Sequence, residues 1–215
     1  MCGITGAVWL DPHRAISPSV LSQMTDCLAH RGPDQSSSWR CDSHTDAAGN
    51  SMGVALGFRR LSIIDVDGAQ QPLANEDHSV QVVFNGEIYN YSTLRRRLQG
   101  SGHLFRTEGD GETIVHLFEE VGEKCFESLN GMFAVAVWDG SRHRLILARD
   151  RIGQKPLYYA FKNQQFVFGS ELKSLAQVPG VCEKINPKAI DSFLTYQYIP
   201  HPETIWEGVH KLPPG

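Results

Sequence analysis

The chain has 215 residues, 41% of them hydrophobic, and a formal net charge of -4. That length and apolar content suit one sizeable core better than two small ones. The mild acidity, with Arg95-Arg96-Arg97 as the single basic run, excludes a nucleic-acid or anionic-membrane footprint, and between Leu94 and Leu98 those arginines read as a solvated helix face. No apolar run approaches the roughly 20 residues of a membrane span and the first residues do not read as a basic region followed by an apolar signal core, so a cytoplasmic location is expected. Five cysteines without a C-x-x-C pair indicate neither a disulfide framework nor a zinc site, and the nine histidines show no paired spacing with Cys, Asp or Glu; no metal is expected.

In chain order, Ile4 to Leu10 reads as a strand ended by Asp11-Pro12. Ser17-Pro18 opens a helix with Ser as N-cap and Pro in the first turn, carrying Val20, Leu21, Met24, Cys27 and Leu28 as its apolar stripe. His30-Arg31 close its last turn and Gly32-Pro33 stop it. From Gln35 to Ser51 the polar composition predicts a strand near Trp39 leading into a long hairpin loop. Met52 to Phe58 alternates as a strand, continued by Arg59 to Asp65 into a turn at Asp67-Gly68.

A strand over Val80 to Phe84 delivers Asn85-Gly86 at its end, and helices follow from about Asn90 to Leu98 and from Asp110 to Val121. Further β segments are expected at Phe133 to Trp138, Leu145 to Asp150, Leu157 to Phe161 and Phe166 to Phe168; their near-continuous apolar character predicts sheets covered on both faces. Two groups of strands with helices between and after them predict an α+β layered domain, and the closing Leu212-Pro213-Pro214-Gly215 reads as linker.

The chemistry begins at Met1-Cys2. Removal of one methionine leaves a thiol (pKa about 8.5) and an α-amine (about 8) on one residue, a nucleophile with its own base. A buried strand cysteine reads identically. If Cys2 attacks a carboxamide, the oxyanion needs preorganised donors; Asn85-Gly86 offers a side-chain amide beside a glycine N–H, though it also fits a plain turn. An amino acid substrate needs a fork-shaped cation for its carboxylate and an anion for its ammonium. Arg60 and Asp110 are candidates, Asp110 being equally suited to cap its helix. Ser170-Glu171-Leu172-Lys173 fits S-x-x-K but lacks the S-D-N and K-T-G partners of a penicillin-binding site.

Six motifs occur together in order: Cys2-Gly3-Ile4, His30-Arg31-Gly32-Pro33-Asp34, Arg60-Leu61-Ser62-Ile63-Ile64-Asp65, Asn85-Gly86-Glu87-Ile88-Tyr89-Asn90, Arg149-Asp150-Arg151-Ile152-Gly153 and Lys155-Pro156-Leu157-Tyr158-Tyr159. With them the chain resembles the glutaminase domain of glutamine-hydrolysing asparagine synthetases, class II glutamine amidotransferases. The resemblance covers residues 2–215 as one domain and implies the N-terminal nucleophile fold, two antiparallel sheets between helical layers.

It implies Cys2 as nucleophile, with the Asn85 side chain and the Gly86 N–H as oxyanion hole. Arg60 would hold the glutamine carboxylate, Asp110 with Glu87 the ammonium, and the backbone of Leu61, Ser62, Ile63 and Ile64 would line the pocket. His30, Arg31, Asp34, Lys155 and Tyr158 are expected as scaffold. The glutaminase half needs no cofactor; ATP and Mg2+ belong to a C-terminal synthetase domain that amidates aspartate, whose Ser-Gly-Gly-x-Asp-Ser loop is not in this chain. A homodimer is compatible with the resemblance. Gln154, where an apolar residue is expected, and Gly109-Asp110-Gly111, which loosens the turn aiming Asp110, depart from the pattern. Ammonia supply to another acceptor, such as a sugar or peptide, and a non-catalytic glutamine sensor are the alternatives.

Overall fold

A computed structural model describes residues 1–45, 51–62, 65 and 68–215, without the side chains of 43–45 and 51. The first sheet has the order β10-β8-β9-β1-β3-β2, with β1 Gly3–Trp9, β2 Gln35–Thr45, β3 Ser51–Arg60, β8 Tyr158–Lys162, β9 Gln165–Gly169 and β10 Val209–Lys211. The second is β4-β5-β6-β7, with β4 Leu73–Ala74, β5 Val80–Ile88, β6 Gly131–Asp139 and β7 Arg144–Arg149. Every pairing is antiparallel.

The helices are α1 Pro18–Asp26, α2 Tyr91–Gly100, α3 Glu112–Val121, the single turns α4 Cys125–Ser128 and α5 Leu172–Leu175, and α6 Pro187–Tyr196. Leu21 and Met24 of α1 and Leu175 of α5 pack on the outer face of the first sheet against Ala7, Trp9, Ala55 and Val167. Leu94 and Leu98 of α2, with Ile114, Leu117 and Phe118 of α3, cover the outer face of the second. Between the sheets Ile4, Leu56, Phe58, Val83, Ala136, Trp138 and Phe168 interdigitate. Both faces of β1 are therefore buried, which is why all seven of its residues are inaccessible and its sequence does not alternate. The expected four-layer sandwich is what forms.

Ser17 caps α1 as expected, its hydroxyl accepting from the Val20 N–H at 3.2 Å. The helix stops at Asp26, and turns carry the chain through Arg31 to Gly32. A Cβ on Gly32 would stand 2.4 Å from the Arg59 carbonyl carbon, so glycine is required where this corner crosses the end of β3. Three expectations are corrected. Polar residues from Gln35 to Thr45 form a full strand, because pairing along β3 overrides their weak strand propensity. Asn85-Gly86 lies within β5, not at its end, opposite Ala134 and Phe133 of β6. Helix α6, unread in the sequence, was signalled by Asn186-Pro187: the Asn186 side chain accepts from the Lys188 N–H and Pro187 fills the first turn.

Candidate active site

Cys2 immediately precedes β1, Arg60 ends β3, and Asn85 to Glu87 occupy the far half of β5, so the packing of the two sheets brings three distant motifs to one end of the sandwich. There Cys2, Arg60, Leu61, Asn85, Gly86, Glu87 and Asp110 surround a cleft of about 280 Å³. That is at the small end for ligand sites and of a size for one amino acid. Ser62 is not part of the lining among the described residues; its N–H is held instead by Asp34 Oδ2 at 2.7 Å. Ile63 and Ile64, and Asp67 of the expected turn, lie outside the described residues.

Cys2 is set by three contacts. Its sulfur accepts from the Leu61 N–H at 3.4 Å and donates to the Leu61 carbonyl at 3.7 Å, and its own carbonyl accepts from Arg31 Nε at 2.9 Å. Arg31 is fixed in turn by Glu171 Oε1 at 3.0 Å, which also meets His30 Nε2 at 2.8 Å. The S-x-x-K segment thus serves the site as its anchor: Glu171 braces the arginine, and the Ser170 hydroxyl accepts from the Ile4 N–H at 3.0 Å. Burial raises the Cys2 pKa, and the Leu61 N–H, the chain's terminal charge and Arg60 only partly offset that.

The edge of β5 that faces away from β6 forms the opposite wall. The Gln71 side chain substitutes for a neighbouring strand, its Oε1 accepting from the Phe84 N–H at 2.6 Å and its Nε2 donating to the Phe84 carbonyl at 3.0 Å. Four residues on, Asp110 Oδ2 accepts from the Ile88 N–H at 2.7 Å. N–H groups two apart in a strand point the same way, so the Gly86 N–H between them points to this open edge. Glycine is obligatory there, since a Cβ would stand 2.1 Å from the Met132 carbonyl oxygen of β6. The neighbouring Asn85 is 1% exposed, and its Nδ2 has no hydrogen-bond partner among the described residues. A buried amide donor left unpaired in the wall of a cleft marks a place for an acceptor.

Asp110 is not the cap of α3, whose N-cap is Gly111 without a side-chain bond. Its carbonyl accepts from the Thr113 N–H at 3.2 Å and the Thr113 hydroxyl at 2.5 Å, so the Gly-Asp-Gly turn is held firm rather than loosened. Burial, with Glu87 nearby, raises its pKa, against the pull of the Ile88 N–H. Arg60 is 4% exposed, with Nη1 donating to Gln35 Oε1 at 3.0 Å and Nη2 to the Asp65 carbonyl.

Sequence reasoning missed Gln71, Thr107 and Met132 of the lining, which no short motif marks as a wall, whereas Lys155, expected as scaffold, lines the cleft itself. Arg95 was misread as solvated: it donates to the Thr107 carbonyl at 2.6 Å and lies over the Phe105 ring, pinning the loop before Asp110. Gln154 contributes its N–H to the Asp150 carboxylate at 2.9 Å, a main-chain bond that leaves its side chain unconstrained by the motif.

The sequence matches the family described as the glutamine amidotransferase domain over residues 1–215. The chain belongs to that family. Asparagine synthetase [glutamine-hydrolyzing] 1 of Bacillus subtilis is 39% identical over the whole chain, and a putative asparagine synthetase [glutamine-hydrolyzing] of Mycobacterium bovis is 37% identical. The chain spans about a third of their length, 33% and 34%. Among solved structures, glutamine phosphoribosylpyrophosphate amidotransferase of B. subtilis superposes with a TM-score of 0.65 at 19% identity, covering 82% of this chain and 43% of that one. The allosteric regulatory enzyme of purine biosynthesis gives 0.64 at 20%. At that identity the likeness concerns the fold, the N-terminal nucleophile sandwich expected of the amidotransferase domain. Among the described residues no helix is long and apolar enough to cross a membrane.

Proposed function

We propose that this amidotransferase domain hydrolyses the side-chain amide of glutamine through a Cys2 thioester. Removal of Met1, which lines the cleft, gives the substrate its entry and frees the α-amine beside the thiol. The amine takes the thiol proton, which matters because burial holds the Cys2 thiol protonated. The thiolate sulfur bonds to the carboxamide carbon, and the developing oxyanion accepts from Asn85 Nδ2 and the Gly86 N–H. The C–N bond breaks, ammonia leaves with the proton returned by the amine, and water attacks the thioester to release glutamate and restore the thiol. Arg60 pairs with the substrate carboxylate, and Asp110, helped by Glu87, receives its ammonium.

The observation that carries this reading is Asn85 Nδ2, buried in the cleft wall without a partner. The names of the relatives, glutamine-hydrolyzing asparagine synthetases, support use of the ammonia for asparagine synthesis, in our reading by amidation of aspartate in a C-terminal domain that would use ATP and Mg2+. The test is glutamate release from glutamine, with intact mass to follow Met1. Turnover lost in Cys2→Ala with the fold retained supports the reading; turnover that survives overturns it.

A further inference from the structure

Away from the cleft, behind the loop that carries Asp110, four potential ligands converge. We propose that Glu76, His103, His116 and Glu119 form a binding site for one divalent transition cation, with zinc the best match. They come from three segments: Glu76 from the turn between β4 and β5, His103 from the loop after α2, and His116 with Glu119 from one face of α3. That dispersion is why spacing in the sequence showed nothing.

The atoms that face inward lie within 4.8 Å of one another. His116 Nδ1 is 3.0 Å from Glu119 Oε2 and 3.8 Å from Glu76 Oε2, and His103 Nδ1 is 3.7 Å from Glu119 Oε2. Ligand atoms about 2.0–2.1 Å from a tetrahedral zinc stand roughly 3.3 Å apart, so closure needs shifts of about an ångström or less. Two imidazole nitrogens and two carboxylate oxygens suit zinc or cobalt rather than calcium or magnesium, and the two carboxylates balance the charge of the dication.

The outward atoms of the same residues are already occupied or faced. Glu76 Oε1 accepts from the Leu104 N–H at 3.1 Å, and Glu119 Oε1 accepts from Asn75 Nδ2 at 2.9 Å, so both Oε2 atoms face the cluster, where the cation would replace the hydrogen bond that joins Glu119 Oε2 to His116 Nδ1. His103 Nε2 faces Glu120 Oε1 at 3.7 Å, and His116 Nε2 faces Glu112 Oε1 at 3.6 Å. A carboxylate behind each imidazole is the arrangement that orients metal-bound histidines. His116 is 1% exposed, and its Nε2 lacks a hydrogen-bond partner among the described residues. A cation on Nδ1 fixes the proton on Nε2, where the Glu112 carboxylate stands ready to accept it. Glu112 also receives the N–H groups of Arg106 and Thr107 and the Thr107 hydroxyl, so the bound ion would tie α3 to the loop that walls the cleft.

The test uses chelator-treated chain carrying Cys2→Ser, so that no terminal aminothiol competes, titrated with Zn2+ by calorimetry and with Co2+ by visible absorption. One equivalent is expected to bind, with tetrahedral Co2+ bands and no thiolate charge-transfer band. His103→Ala and the isosteric Glu119→Gln should each weaken it by roughly tenfold or more. Zinc should raise the melting temperature of the parent and not of the variants. Absence of binding, a thiolate band, or an affinity unchanged in both variants overturns the proposal.

Discussion

Asp110→Asn isolates the charge of the proposed ammonium anchor. Asparagine keeps the shape, and its Oδ1 can still accept from the Ile88 N–H, so the turn before α3 should survive. With Oδ2 committed to that bond, the charge and Oδ1 remain for the substrate. Asp110 is 8% exposed, so solvent screens the pair poorly; a unit-charge pair at about 4 Å with an effective dielectric near 20 amounts to about 4 kcal/mol before desolvation. Removing one partner of a buried pair commonly costs about 2–5 kcal/mol.

KM for glutamine should therefore rise by roughly thirtyfold to several thousandfold in Asp110→Asn, with a smaller change in kcat, at about 1.4 kcal/mol per factor of ten. The control substrate is the glutamine analogue that lacks the α-amino group. The parent should lose a similar factor when given the analogue, whereas Asp110→Asn should hardly distinguish the two. Because burial raises the Asp110 pKa, acid neutralises it earlier than an ordinary carboxyl. KM of the parent should thus climb as pH falls toward a midpoint above the usual aspartate range, and that limb should vanish in the variant. A variant that still prefers glutamine to the analogue as strongly as the parent refutes the assignment.

Asn85→Ala should lower kcat by roughly 100- to 1,000-fold with little change in KM, measured by initial rates, since the donor acts on charge that exists only in the transition state. Arg60→Ala should mainly weaken glutamine binding, by about 2 kcal/mol or more, read as KM. Gly86→Ala should destabilise by about 3 kcal/mol or more in denaturant titration, because its Cβ meets main-chain atoms of Met132 and Phe133 that yield only if β5 and β6 separate. Glu112 is pushed up by burial, but the His116 imidazole facing it at 3.6 Å and hydrogen bonds from Arg106 and Thr107 outweigh this and hold its pKa at about 2, against an ordinary 4.5. Its contribution, up to about 3 kcal/mol at about 1.4 kcal/mol per pKa unit, is complete above pH 4.5 and lost as pH falls toward 2. Glu112→Gln should be less stable at neutral pH and show a flatter acid limb across that window.

Residues that must act in short contiguous patterns were legible: Cys2, Arg60, Asn85-Gly86 and Asp110 all reach one cleft. The layers were legible too, because strands buried on both faces show as near-continuous apolar runs in β1 and β6. What escaped was whatever depends on partners far away in the chain. Gln71 completes the edge of β5 from a segment with no motif, and Arg31 reaches the Cys2 carbonyl from the end of the α1 turns. β2 exists because β3 offers it a ladder, which its polar composition conceals.

The same division explains the chemistry. A short motif supplies a reactive atom, but long-range bonds decide where that atom points. Asn85 brings an amide whose buried Nδ2 is unpaired among the described residues, and beside it the outer edge of β5 beyond β4 is bridged at Phe84 and Ile88. Gln71 and Asp110 occupy the positions on either side and leave the Gly86 N–H between them facing the cleft. An edge capped at alternate N–H groups leaves one main-chain donor free, and the Asn85 amide next to it in the strand adds a side-chain donor, the kind of pair that stabilises a tetrahedral oxyanion.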